Sequence, residues 1–320
     1  MKPKHLIICL LALASTACSH TANAPAGTDD VAAARNEDNS LSLPLPTIPP
    51  SITDGNERAA YLATHFWDAM EWADTTRSHN RDFVEQNFAN FLAVFPAIYA
   101  PQQRTAVEGL LAEARTERGA YELVRTVAAK YLYDPNSPMY NEDEYALFVD
   151  AYVADDSMPE ADRVRYAHDR KCIAMNRPGS DAPDFAYADR NGGRHTLRAT
   201  AEASAEAPLM VMFYDPECDE CKKTIAALAG DDTLNALLDD GRLNVLALCI
   251  EGDYGDWRKS AAELPSDWMS GFDRTGIDDK ELYVIRATPA IYLVDNDGRI
   301  LLKDCQPREA LLAAANYSAQ

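Results

Sequence analysis

Leu209-Met210-Val211-Met212-Phe213-Tyr214 is an apolar run without a polar break. Side chains of a strand alternate between its two faces. A run of this kind therefore fits a strand covered on both sides, the central strand of a layered α/β domain. Asp215-Pro216-Glu217-Cys218-Asp219-Glu220-Cys221-Lys222-Lys223 follows at once. It places a Cys-x-x-Cys where a buried strand passes into a helix. The unpaired N–H groups of a helix start favour a thiolate. Cys218 is the exposed sulfur of that geometry, and Cys221 lies one turn inside. Cys218 can attack a substrate disulfide as nucleophile, and Cys221 can resolve the mixed disulfide, the pair passing between dithiol and disulfide. Asp219 and Glu220 oppose the thiolate, while Lys222 and Lys223 partly offset them. The spacing predicts a pair more reducing than that of a strong oxidant.

The surrounding pattern agrees with a layered domain over 177–320. Asn176 to Phe185 breaks the preceding pattern and reads as a linker into an extended segment. Gly192-Gly193 signals a hairpin. Leu243 to Ile250 reads as a second buried strand, and Trp257 to Leu264 as a helix. Ala290 to Val294 and Arg299 to Lys303 flank the turn Asp297-Gly298. A helix from Pro307 to Asn316 closes the chain.

These residues resemble the thioredoxin fold of the TlpA/ResA and AhpC/TSA-like class. The resemblance is carried by Pro178-Gly179, Ala182-Pro183-Asp184-Phe185, Phe213-Tyr214 with Cys218 and Cys221, and Ala287-Thr288-Pro289-Ala290. It implies that Pro289 is a cis-proline lying against the redox cysteines and that Thr288 offers backbone pairing to a bound substrate chain. A proline there has no N–H to compete for the sulfur. Two acids of the class are replaced: Met212 stands where thioredoxin has a buried Asp, and Thr224 where ResA-like proteins have Glu. Glu217 could take over their proton-handling role only with its side chain turned inward.

From 51 to 176 the pattern is helical throughout, and roughly six helices are expected. Asp54 and Glu57 have capping-box spacing. Leu62, Phe66, Ala69, Met70 and Ala73 share one face of a first helix. Further apolar faces are Phe88, Phe91, Leu92 and Phe95; Val107, Leu110, Leu111 and Ala114; Tyr121, Val124, Ala128, Tyr131 and Leu132; and Tyr145, Phe148, Val149 and Tyr152. Asn141 with Glu144 could cap the fifth helix, and Ser157, Pro159 and Glu160 open the sixth. No metal-ligand or nucleophile spacing occurs here. The cluster Glu142, Asp143 and Glu144 reads as solvated helix-start charge. This half is an all-α domain with no chemistry of its own in the sequence, and its partner is open.

The chain begins with Lys2 and Lys4, the short apolar stretch Leu6 to Ala14, and Ala14-Ser15-Thr16-Ala17 before Cys18. The stretch is shorter than the ~20 residues needed to span a bilayer and has the form of a secretory signal. It resembles a bacterial lipoprotein signal over 1–17, with Cys18 as the lipidated first residue. Residues 18–50 contain five prolines among small polar residues and read as a disordered tether. The whole order resembles Bacteroidota lipoproteins that join a helical domain of unknown function to a thioredoxin-like domain. Ser19, with no acidic cluster after it, favours the periplasmic face of the outer membrane.

The net charge of -21 excludes nucleic acid as a partner, since little could neutralise a phosphate backbone. A zinc site needs about four ligands, and one Cys-x-x-Cys with a distant His195 does not supply them. Neither a metal nor an organic cofactor is expected. Cys249 reads as an inert core thiol, and Cys172 and Cys305 lie near the domain's edges, where pairing of the two is a minor alternative. The expected function is membrane-anchored thiol-disulfide exchange with protein thiols and disulfides, reducing partner disulfides. The alternative is a non-catalytic binding or scaffold lipoprotein whose Cys218–Cys221 disulfide is static.

Overall fold

A computed structural model describes residues 41–204 and 206–318. Cys18 and its leader lie outside them. The described residues from Leu43 to Ser318 form one compact unit.

Its first part is helical. The helices are α1 (Gly55–Thr64), α2 (Thr75–Ser78), α3 (Arg81–Leu92), α4 (Ala100–Ala114), α5 (Arg118–Leu132), α6 (Glu142–Val153) and α7 (Glu160–Ala174), with a 3-10 turn at Phe95–Ala97. Side-chain oxygens satisfy the free N–H groups at several starts. Asp54 accepts from the Glu57 N–H, Asn80 from that of Phe83, and Asn141 from those of Asp143 and Glu144. The first helix is shorter than the periodicity predicts. It stops at Thr64, and Phe66 to Met70 form turns. In a continuing helix Phe66 and Trp67 would point about 100° apart; in the turn both are buried, at 2% and 3% exposure. Tertiary burial overrides the helical repeat. The core is aromatic, with Phe88, Phe91, Phe95, Phe148 and Tyr152 all fully enclosed. Leu43, inside the stretch read as tether, is buried in this core, and its N–H donates to Asn87 Oδ1 at 2.8 Å.

The second part is a seven-stranded sheet in the order β2-β1-β5-β4-β3-β6-β7. Its elements are β1 (Ala186–Ala188), β2 (Arg194–Thr196), α8 (Leu197–Ala203), β3 (Leu209–Tyr214), α9 (Asp219–Ala229), α10 (Asp232–Asp239), β4 (Asn244–Cys249), α11 (Tyr254–Ser260), β5 (Met269–Asp273), β6 (Ala290–Val294), β7 (Ile300–Leu302) and α12 (Pro307–Ala315). β3 runs parallel to β4 and antiparallel to β6. Met210, Met212 and Tyr214 face the layer that holds Leu228, Leu237 and Leu311. Leu209, Val211 and Phe213 face the opposite layer with Phe185, Leu197 and Tyr283. The unbroken apolar run is thus two faces read alternately. On β5, Gly271 makes room for a neighbour: a Cβ there would lie 2.5 Å from Tyr187 Cδ2.

The connector between the two parts is bonded at both ends. Asn176, in the left-handed region at φ 52°, accepts from the Val284 N–H at 2.9 Å and donates to the Leu282 carbonyl at 3.0 Å. Gly179 N donates to Ile300 O at 2.7 Å, Ile300 N to Ser180 O at 2.9 Å, and Ala182 N to Gly298 O at 2.8 Å. The segment read as a linker is an added rung beside β7.

Candidate redox site

The site forms where β3 ends. Asp215 organises the turn: its side chain accepts from the Glu217 N–H at 2.8 Å, and its carbonyl from the Cys218 N–H at 3.2 Å. Cys218 is then the N-cap of α9, with extended backbone, and its carbonyl accepts from the Lys222 N–H at 3.1 Å. No acidic or hydroxyl side chain caps this helix start, so the sulfur occupies the place a capping oxygen would take.

Cys218 is half-buried and Cys221 is fully buried; both thiols are free. The Cys221 N–H of the first helical turn holds the Cys218 thiol below its ordinary pKa, assisted by the Cys221 and Thr288 side chains. Burial pushes Cys221 the other way, to about 11. The two sulfurs therefore differ in role: one is ready to ionise at the surface, the other is kept protonated inside. Asp219 and Glu220 are exposed, and each has a lysine near it, Lys222 at 4.0 Å and Lys223 at 3.2 Å.

Thr288 and Pro289 come from the loop before β6, 70 residues further along the chain. The Thr288-Pro289 peptide is cis. The Cys218 thiol points at the Thr288 carbonyl, 3.5 Å away. The structure thus brings Cys218, Cys221, Thr288 and Pro289 to one place. Met212 is fully buried on β3, Thr224 sits half-buried on α9, and Glu217 is exposed rather than turned inward. Tyr214 is the buried polar group on this side, and its hydroxyl accepts from Trp257 Nε1 at 2.8 Å.

The other cysteines are apart from this chemistry. Cys249 is buried and donates to Glu251 O at 3.1 Å; burial raises it to about 12. Cys172 and Cys305 are both free thiols, so the alternative of a bond between them is not realised. Burial pushes Cys305 to about 12. Among the described residues no group of three or more His, Cys, Asp or Glu is placed to hold a metal ion. No helix among them is long and apolar enough to cross a membrane.

One set of residues escaped the sequence reading. Arg286, two positions before Thr288, meets the helical part. Its Nη1 donates to the Tyr140 hydroxyl at 2.9 Å and to Asp304 Oδ2 at 3.4 Å, and its Nη2 bonds Glu142 Oε1. Its guanidinium lies 4.2 Å from the centroid of Tyr133. Lys303, 4% exposed, donates to Glu142 Oε2 at 2.8 Å and to the Cys172 carbonyl at 2.6 Å. Glu142 is therefore not a solvated helix-start charge: it neutralises two buried cations, as charges removed from water require. The available signal was one arginine in the apolar stretch Tyr283-Val284-Ile285-Arg286-Ala287 beside Thr-Pro.

A central parallel pair with a Cys-x-x-Cys helix start facing a cis Thr-Pro defines a thioredoxin-like domain, and residues 197–319 match the family model described as a thioredoxin-like domain. Residues 17–176 match the model described as a domain of unknown function, DUF5106, which takes in half of the chain. The chain belongs to that family, with a thioredoxin-like domain following. Among solved structures it is similar to a thioredoxin-like protein from Bacteroides caccae, at 28% identity and TM-score 0.72, over 86% of this chain and 98% of that one. A conserved protein of unknown function from Bacteroides fragilis is 31% identical over 42% of this chain and 95% of its own, with TM-score 0.39. The thioredoxin domain of a thiol-disulfide oxidoreductase from Bacteroides vulgatus is 24% identical over 44% and 98%, with TM-score 0.38. No curated protein matches the chain.

Proposed function

We propose that the chain is a thiol-disulfide oxidoreductase that reduces disulfides of partner proteins. The observation that carries this reading is the asymmetry of the dithiol: Cys218 accessible, with its thiol favoured toward ionisation by α9, and Cys221 buried and protonated beside it. The Cys218 thiolate attacks one sulfur of a substrate disulfide. A Cys218–substrate bond forms, the substrate S–S bond breaks, and one substrate sulfur leaves as thiolate. Cys221 then loses its proton and attacks the Cys218 sulfur. The second substrate sulfur leaves, and Cys218–Cys221 becomes the disulfide. The substrate gains two electrons and two protons. A thiol donor must return them to the protein by the same exchange in reverse.

With Met212 and Thr224 at the two acid positions of the class, the Cys221 proton lacks the carboxylates those positions supply. This predicts turnover limited by resolution rather than by attack. The resemblance of residues 1–17 to a lipoprotein signal, with Cys18 as the lipidated residue, supports a cell-envelope location for the domain, at the periplasmic face of the outer membrane. Protease shaving of intact cells should leave the protein whole; its removal would contradict that location.

The test is insulin reduction by the full chain, with Cys218→Ser and Cys221→Ser beside it. The unaltered chain should reduce insulin with dithiothreitol as donor. Cys218→Ser should be inert, and Cys221→Ser should accumulate the mixed disulfide. A pair that stays oxidised in dithiothreitol, with no thiol-dependent turnover, would favour a scaffold with a static disulfide. The redox potential of the pair decides direction, since a strongly oxidising value would overturn reduction of partners.

A further inference from the structure

We infer that the helical part acts on the redox pair through Arg286, a positioning residue that it grips and that fixes Thr288 against Cys218. This rests on the proposed redox role of Cys218 only for its consequence in turnover; the coupling itself is a matter of geometry.

The loop from Leu282 to Pro289 has few backbone partners of its own kind, yet it is held along its length. Asn176, just after α7, takes the Leu282 carbonyl and the Val284 N–H. The Tyr292 hydroxyl of β6 donates to the Val284 carbonyl at 2.9 Å. Arg286 then crosses to the helical part, where Tyr140 and Glu142 take its two terminal nitrogens and Tyr133 covers its face. Beyond Arg286 the next polar contact of the loop is Thr288 O with the Cys218 sulfur.

Two residues of extended chain reach about 7 Å, so the Arg286 Cα and Thr288 cannot move independently by much. A planar guanidinium bonded at both ends is a directional anchor, which a lysine ammonium cannot copy. Its charge is answered by Glu142 and Asp304, so its influence on Cys218 is transmitted by position and not by its own field. The groups that face Cys218 are the Cys221 thiol, the N–H groups of Glu220 and Cys221 from α9, and Thr288 from the loop. Thr288 meets Cys218 through its carbonyl oxygen, which accepts from the protonated thiol, while its side chain favours the charged form. Release of the loop removes both contacts, so the ionisation of Cys218 near neutral pH shifts.

The rest of the contact between the two parts supplies a control. Lys171 with Glu281, and Arg177 with Asp143, are exposed ion pairs of the same junction that do not hold Arg286. Exposed pairs of this kind contribute little.

The experiment measures alkylation of Cys218 by iodoacetamide in the reduced full chain as a function of pH, read by mass spectrometry of the Cys218 peptide. In Arg286→Met and Glu142→Gln the rate at pH 7 should shift about three- to tenfold from that of the unaltered chain, as a pKa change of roughly half to one unit gives. Arg286→Lys should recover it only in part, and Lys171→Ala should leave it unchanged. Tyr140→Phe removes a single hydroxyl and serves if a larger change prevents folding, its effect being smaller but in the same direction. Folded variants at Arg286, Glu142 and Tyr140 that alkylate Cys218 with the unaltered profile would overturn the inference. An equal shift in Lys171→Ala would also overturn it, because loosening of the junction as a whole would then suffice. Alkylation needs no turnover. A chain that fails to reduce insulin but keeps this Arg286 dependence refutes the proposed function alone.

Discussion

At the scale of single residues, the structure separates side chains whose role follows from local sequence from those whose role does not. Cys218 and Cys221 belong to the first group: a buried strand, a turn and a helix start within a dozen residues fix the exposure of each sulfur. Arg286 and Glu142 belong to the second. They meet across 144 residues of chain, and no periodicity records such a pairing. Glu144, two residues along α6 from Glu142, shows the cost of burying an acid. Burial, with the Asp143 charge adding to it, raises its pKa to about 7. A raised carboxyl keeps its proton longer in the folded than in the unfolded state. Stability is therefore lost as pH rises from the ordinary Glu range to about 7, and the loss persists above that. Glu144→Gln should raise the melting temperature at pH 8 and leave it nearly unchanged at pH 4, where both states hold the proton. A gain equal at the two pH values would refute this.

At the scale of elements, β3, β4, β6 and β7 were legible because apolar runs and turn residues such as Gly298 at φ 80° mark them, whereas β5, whose run is broken by Ser270, Gly271 and Asp273, was not read. The helical part was legible as helical but not in its bounds. The apolar repeat runs on past Thr64, and only the packing of Phe66, Trp67 and Met70 shows that the chain turns there. α2 has four residues and lies below the reach of any periodicity. Cap residues give the elements individual tests. Asn141 satisfies two N–H groups at the start of α6, so Asn141→Ala should cost about 1 kcal/mol in denaturant unfolding. In β5, Gly271→Ala forces Tyr187 from its place, because ring and Cβ cannot share 2.5 Å. It should lower the melting temperature by several degrees, and a fully native melting curve would show that Tyr187 can yield.

At the scale of the whole molecule, the linker reading gives way to a junction that is bonded throughout, from Asn176 through Ala182 and across Arg286 and Lys303. Two parts joined in this way should unfold together. The tryptophans allow the check, since Trp67 and Trp72 report on the helical core and Trp257 and Trp268 on the α/β layer. Paired Trp→Phe variants that leave one set or the other should show the same urea midpoint. Asn176→Ala, which removes both bonds to the loop, should draw the midpoints apart.

The rung that residues 179–182 lay beside β7 has a consequence for how visiting proteins are handled. An open sheet margin invites foreign strands to zip on. Here that margin is taken up at Gly298 and Ile300 by the chain's own backbone, so a foreign strand finds fewer free groups to pair with at this side. Under the proposed exchange reaction a client would meet the protein at the rim that carries Cys218, away from this margin.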